Sequence, residues 1–358
     1  MQLLRRVRKG TVQLVQPQLY APAAYWRELS YSDKALHIIR ATAKQHSDWT
    51  FCYLSAALLW GLTDTVFLRG QMHVAVTNHT HVRRQGCIKF HYTRLNRPAF
   101  RRGVAATPLL QTVYDCARRL DYCNAMAICD VAMRKFGLTQ QQLIRYAEQF
   151  PHSWGQRRAF YVFTHARGLS ESGGESIACA LFDGWGYQQA QQQISIASPL
   201  RKGKQIRLDF LWITSDGRHI AGELDGRVKY VNPTMTQGRE LTDIILNEKD
   251  RETEVSLLGF TLVRFSFQQL QQKRGSIVRE KLHMAGVPQV PQASEGDNPQ
   301  VRALFGSCWQ ETHTCWAGLR ASRPRLARAA HLHDSRRPPS RPSSHIQRRP
   351  PQAMATRR

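Results

Sequence analysis

The stretch Gln205–Tyr230, QIRLDFLWITSDGRHIAGELDGRVKY, decides how the chain is read. Ile206, Leu208 and Phe210 alternate with Arg207, Asp209 and Leu211, the period-2 pattern of a strand. Ser215-Asp216-Gly217 supplies turn chemistry. His219 to Leu224 follows as a second strand that ends in acid and glycine. The pairing sets Asp209 on one strand and Glu223 at the end of its neighbour, with Asp225 two positions on. Two carboxylates on adjacent strands are suited to share a divalent cation, because hard cations take carboxylate oxygens at about 2.0–2.6 Å.

Upstream, Gly174 to Phe182 is expected as a helix with Glu175 in its first turn, where the helix dipole favours an acid. Gln189 to Ala197 is expected as a strand, and Arg201, Lys202 and Lys204 form a basic turn. Downstream come a long helix over Gln237–Leu258, a strand over Phe260–Phe267 and a last helix over Gln268–His283.

The motifs then stand in order: Glu175; Arg207, Asp209, Phe210 and Trp212; Glu223, Asp225, Gly226, Lys229 and Tyr230; Glu248, Lys249 and Arg251; and Val263-Arg264-Phe265. This run, over roughly Ser170 to Leu270, resembles the PD-(D/E)xK nuclease superfamily. It resembles most closely the small endonuclease-like domains related to very-short-patch mismatch repair enzymes. The resemblance implies an α/β (α+β) fold with a restriction-endonuclease-like αβββαβ core. It implies a catalytic set of Glu175, Asp209, Glu223, Asp225, Lys229, Lys249 and Arg251. It implies Mg²⁺ or Mn²⁺ on Asp209, Glu223 and Glu175, and hydrolysis of DNA phosphodiesters.

The departure is Asp225, which stands where the superfamily has its lysine. The missing cation is then expected from Lys229, Lys249 or Arg251. Lys249 and Arg251 lie about 200° apart round a helix, so only one of them can face the site. The alternative is a non-enzymatic DNA-binding antitoxin or regulator on an inactive nuclease fold. A plainer reading of Arg207–Asp209 and Asp225–Arg227 is paired surface charge on strands.

The first residues give a short basic helix with Arg5, Arg6, Arg8 and Lys9, then Gly10 and an alternating apolar stretch. This resembles the recognition helix and wing of a winged helix; an edge hairpin after a basic arm is the plainer reading. Those four cations, with Arg201, Lys202 and Lys204, are the expected nucleic-acid contacts. The order SAALLWGL, HVAV, TPLLQTVYDCARRLD, AICDVAMRKFGLT resembles AbiEi-type antitoxin and regulator proteins, which implies a possible toxin partner. Asp115 and Asp130 are expected to cap or pair within the helical layer. The expected division is a winged-helix remnant at 1–30, a mixed α/β domain at 31–150, a linker or short helix at 151–169, the endonuclease-like domain at 170–286 and a disordered basic tail at 287–358.

A net charge of +25 and a pI near 10.4 call for an acidic partner, most simply DNA. No aromatic RNA-binding motif supports RNA. No apolar run reaches the ~20 residues of a membrane span, and the basic N-terminus lacks a secretory apolar stretch. A cytoplasmic protein with reduced cysteines is expected. There is no C-x-x-C pair; Cys308, His313 and Cys315 are only a weak metal constellation. From Pro291 lysine disappears, and twelve arginines against four acids carry +8 of the +25. Such Arg/Pro/Ser composition cannot build a packed core.

Overall fold

The structure, a computed structural model, describes residues 2–63, 71–94, 97–225 and 241–290, with backbone alone at 241–248. Helix α1 (Gln2–Arg8) runs through Gly10 into the antiparallel hairpin β1 (Val12–Gln16) and β2 (Leu19–Pro22). Gly10 has φ +71, a conformation that favours glycine. This is the helix-then-hairpin order expected from the basic opening. Helices α2 (Ala23–Glu28), α3 (Tyr31–Gln45) and α4 (Tyr53–Trp60) follow. Ser30 starts α3 by accepting the Asp33 N–H, and Ala35, Leu36 and Ile39 form its buried stripe.

That stripe shares a core with α4 and a small sheet of β3 (Met72–Val76), β4 (Arg84–Gln85) and β5 (Ile88–Tyr92), ordered β3-β5-β4. A hairpin of β6 (Ala99–Arg101) and β7 (Val104–Ala106) follows. Phe51, fully buried, bridges both sheets through Val74 and Ala106.

Five helices come next: α5 (Leu109–Ala117), α6 (Tyr122–Phe136), α7 (Gln140–Glu148), α8 (Gln156–His165) and α9 (Gly173–Gly184). Asp121 caps α6, and Thr139 with Gln142 forms a capping box on α7. Of the two forms expected for the 151–169 segment, the helix is present, and it is packed. Ala159, Val162 and Phe163 of α8 are fully buried in the same core as α5, α6 and α9. Asp130 accepts the N–H groups of Arg167 and Gly168 and the Ser170 hydroxyl, so α6 ties down the chain entering α9. Asp115 pairs with Arg118 at 2.6 Å. Both acids do the structural work expected of them.

The remaining sheet has order β11-β10-β9-β8. Strands β8 (Gln191–Ala197), β9 (Gln205–Ile213) and β10 (His219–Asp225) are antiparallel neighbours. The chain continues through α10 (Leu241–Leu257), and β11 (Thr261–Ser266) returns parallel to β10. A parallel return requires a crossover, which contains α10. One face of the sheet, with Phe210, Trp212, Ile220, Val263 and Phe265, joins the main core with Phe182 of α9. The other, with Leu211, Ala221 and Leu262, packs Val255 of α10. The described residues therefore combine helices with mixed sheets, and helices pack on both faces of this last sheet.

The single last helix expected over Gln268–His283 is broken. It is α11 (Phe267–Gln271), a tight turn, and α12 (Ser276–Met284). Lys273, Arg274 and Gly275 all have positive φ, which no right-handed helix tolerates. The chain also stays packed past residue 286. Val287 is buried, Gln188 N–H donates to Pro288 O, and Val290 N–H donates to Gly186 O. The tail expected at 287–358 is thus packed at its first residues, and 291–358, including Cys308, His313 and Cys315, lies outside the described residues. Cys52, Cys87, Cys116, Cys129 and Cys179 are free thiols.

Candidate functional site

The acids of the central stretch meet at one corner of the C-terminal sheet. Glu223 sits near the end of β10, only 4% exposed. The parallel register sets it beside Arg264 of β11. Arg264 Nε and Nη2 reach Glu223 Oε2 at 3.2 and 3.1 Å. From α10, Arg251 Nη2 lies 2.9 Å from the other oxygen, Oε1. That contact is an ion pair by distance, yet its angle leaves Oε1 without a directed hydrogen bond. Arg251 also donates to the backbone carbonyl of Arg207 on β9. One buried carboxylate is thus held by two guanidiniums delivered from different elements.

Asp209 adjoins this pair. Its Oδ2 accepts the N–H of Leu224, the residue after Glu223, at 3.0 Å. The β8–β9 ladder pairs Gln192 with Phe210 and Ile194 with Leu208 but skips Gln193 and Asp209 between them. Gln193 has φ +55. Leu208 packs in the same cluster as Leu211, while Phe210 and Trp212 pack in the other, so the strict alternation of β9 breaks at Asp209. Local irregularities of this kind re-aim a side chain.

Gln193, skipped by the ladder, donates from Nε2 to Glu175 Oε2 at 2.7 Å. Glu175 also accepts the Glu171 N–H at Oε2 and the Ser172 hydroxyl at Oε1, each at 2.8 Å. Ser172 in turn caps α9 by accepting the Glu175 N–H. Arg207 pairs with Glu171 across the same edge.

Asp209 and Glu223 thus adjoin through Leu224, and Arg251 ties Glu223 to the Arg207 carbonyl. Asp225 is half-buried at the end of β10, in register with Ser266. Lys249 is exposed while Arg251 reaches the acid, as their 200° separation requires. Lys229, with Gly226 and Tyr230, lies outside the described residues, and Glu248 has only its backbone described. Arg5, Arg6, Arg8 and Lys9 are exposed on and after α1, and Lys202 and Lys204 are exposed in the β8–β9 turn. Arg201 is exposed too, but its Nε pairs with Glu254 Oε1 at 2.7 Å. The Ser198 hydroxyl first, then Arg201, keep the Glu254 carboxyl below the usual range.

The residue that sequence reasoning gave no role is Arg264. It stands in the last motif, but only the parallel register of β10 with β11 shows that it faces Glu223.

Mg²⁺ or Mn²⁺ would have to compete with the partners that these acid oxygens already hold. Both Glu223 oxygens face arginines, one Asp209 oxygen takes a backbone N–H, and both Glu175 oxygens take hydrogen bonds. Among the described residues, no three His, Cys, Asp or Glu side chains group as a metal ion needs. As placed, these carboxylates do not form a prepared divalent site.

A second buried polar cluster lies between β3 and β5. His73 Nδ1 and His91 Nε2 are 2.8 Å apart, and Arg119 Nη1 is 3.2 Å from His91 Nδ1. Arginine only donates. His91 Nδ1 must therefore accept, His91 Nε2–H donates to His73, and both rings are neutral. Burial first, then neighbouring positive charge on Lys89 and Arg119 and the paired ring, hold both pKa values down at about 3.

No family model, curated protein or solved structure matches the chain. Among the described residues no helix is long and apolar enough to cross a membrane.

Proposed function

We propose that the chain is a DNA-associated protein whose nuclease-like C-terminal module binds DNA without cutting it in the state described. The observation that carries this reading is the double arginine pairing of Glu223, which occupies the carboxylate that hydrolysis would need. The order of helix, three strands, helix and parallel strand supports the nuclease-like assignment of the module. The excess of positive charge supports a polyanionic partner. Fold alone does not carry activity, so the site chemistry decides between binding and catalysis. A regulator or antitoxin of the AbiEi type, acting with a toxin partner, is the biological form this reading takes.

Mg²⁺- or Mn²⁺-dependent DNA hydrolysis is the second reading. The specific observation in its favour is that Asp209 accepts the N–H next to Glu223, which brings the two motif acids to one corner.

The test is a plasmid assay with the full chain. Supercoiled DNA is incubated with Mg²⁺ or Mn²⁺ while binding is followed by mobility shift across a salt series. Salt-sensitive binding with intact plasmid supports the proposal. Metal-dependent nicking that Asp209→Ala abolishes establishes the second reading in its place.

A further inference from the structure

We propose that Arg251 is a lock: it occupies the Asp209–Glu223 corner as an internal cation and so excludes divalent metal from it. The inference rests on reading Asp209 and Glu223 as the acids of a nuclease-like corner, but not on DNA binding.

The charge balance is the first ground. Glu223 faces two guanidiniums, Arg251 and Arg264, and Asp209 adjoins it through the Leu224 N–H. A divalent ion entering this corner would meet no net negative charge from these four groups, and repulsion between like charges at such distances is large when partly shielded from water. Removing one arginine leaves a net negative corner with Glu223 still buried.

The second ground is that the two arginines are not equivalent. Arg264 is rooted in the sheet: its side chain is 24% exposed and also lies 3.8 Å from Glu252, and Lys281 donates to its carbonyl. Arg251 projects from α10 with a 36% exposed side chain. It spans from Glu223 to the carbonyl of Arg207, so one side chain bridges β9 and β10 across the mouth of the corner.

The third ground is the quality of the fit. Arg251 Nε is buried without a hydrogen-bond partner, and Glu223 Oε1 lacks a directed donor. Both defects sit in the same contact. Buried polar atoms without partners carry a desolvation cost, so this contact is the weaker member of the clamp, and removing Arg251 uncovers Glu223 Oε1 while Arg264 still holds Oε2.

The experiment is Mn²⁺ titration of the full chain, read by loss of the free Mn²⁺ signal in electron paramagnetic resonance, with no DNA present. The proteins are wild type, Arg251→Gln, and Arg251→Gln combined with Glu223→Gln. The lock predicts that Arg251→Gln binds Mn²⁺ about tenfold or more tightly than wild type. The gain must disappear when Glu223→Gln is added. Circular dichroism melts establish that the variants are folded, and Arg251→Met, which keeps the aliphatic stem, reads the same comparison should the glutamine variant not fold. Equal Mn²⁺ affinity in wild type and both arginine variants overturns the proposal, as does a gain that survives loss of the Glu223 carboxylate. Because the titration contains no DNA, it fails independently of the DNA-binding reading.

Discussion

At the scale of single residues, two buried polar clusters set testable behaviour. His73 and His91 titrate near pH 6.5 in an unfolded chain but are held down at about 3 in the fold, chiefly by burial. Below pH 6.5 the unfolded chain therefore binds more protons than the folded one. Their contribution is intact above that pH and is lost as pH falls toward 3. The thermal midpoint should drop steadily between pH 7 and pH 4.5, by up to about 1.4 kcal/mol of stability per pH unit for each ring. A His73→Asn, His91→Gln double variant should show a flatter profile over the same range; equal slopes would refute the role of the pair. In the other cluster, Glu223→Ala leaves two arginines facing a void. The expected loss is about 2–3 kcal/mol, below the usual cost of breaking a fully buried pair because both guanidiniums keep some solvent. Urea denaturation measures it, and a change under about 0.5 kcal/mol would show that the pair is solvated.

At the scale of elements, glycine decides two close approaches. Gly222 lies on β10 opposite Phe210, beside Trp212, and a Cβ there would stand 2.9 Å from the Trp212 ring and 3.1 Å from Phe210 Cβ. The tryptophan is fixed in place by its Nε1–H bond to Gln188 O. Gly222→Ala should cost about 1–3 kcal/mol by overpacking and shift β10, carrying Glu223 with it. Near-UV circular dichroism of Trp212 and a thermal melt report both; an unchanged spectrum and midpoint would show that the sheet has slack. Gly275 joins the tight turn to α12 at φ +69, with the Trp185 ring 2.5 Å from its would-be Cβ. With the positive φ of Lys273 and Arg274, this turn keeps Gln268–His283 from being one helix.

At the scale of the whole molecule, charge governs partners. Each phosphate contact made by a lysine or arginine contributes roughly 0.9 to the slope of log affinity against log salt on duplex DNA. Lys202 and Lys204 are exposed in the β8–β9 turn, whereas Arg201 is engaged by Glu254. The Lys202→Ala, Lys204→Ala double variant should lower the measured slope by up to about 2. Arg201→Ala should change it less, because that cation is already partly neutralised. Filter binding over a salt series decides it, and an unchanged slope in the double variant removes this turn from the interface.

The residues by themselves determined the local story. The strand period of Ile206 and Leu208 and the Ser-Asp-Gly turn are written in a few neighbouring positions, because strand period and turn chemistry are local physics; Phe210, expected on the face of Leu208, packs on the other, because the alternation breaks at Asp209. The order of elements around the central sheet was legible for the same reason. The register was not. Whether Arg264 stands beside Glu223 depends on a parallel pairing across forty-one positions, and whether Arg251 or Lys249 reaches the acid depends on how α10 is rotated against the sheet. The same holds for Gln193, whose left-handed backbone interrupts the β8–β9 pairing at Asp209, and for the burial of α8. Sequence named the acids, but only the packing of β10, α10 and β11 decided that two arginines face Glu223. Ion pairing depends on distances between side chains from different elements, and those distances are set by tertiary contacts.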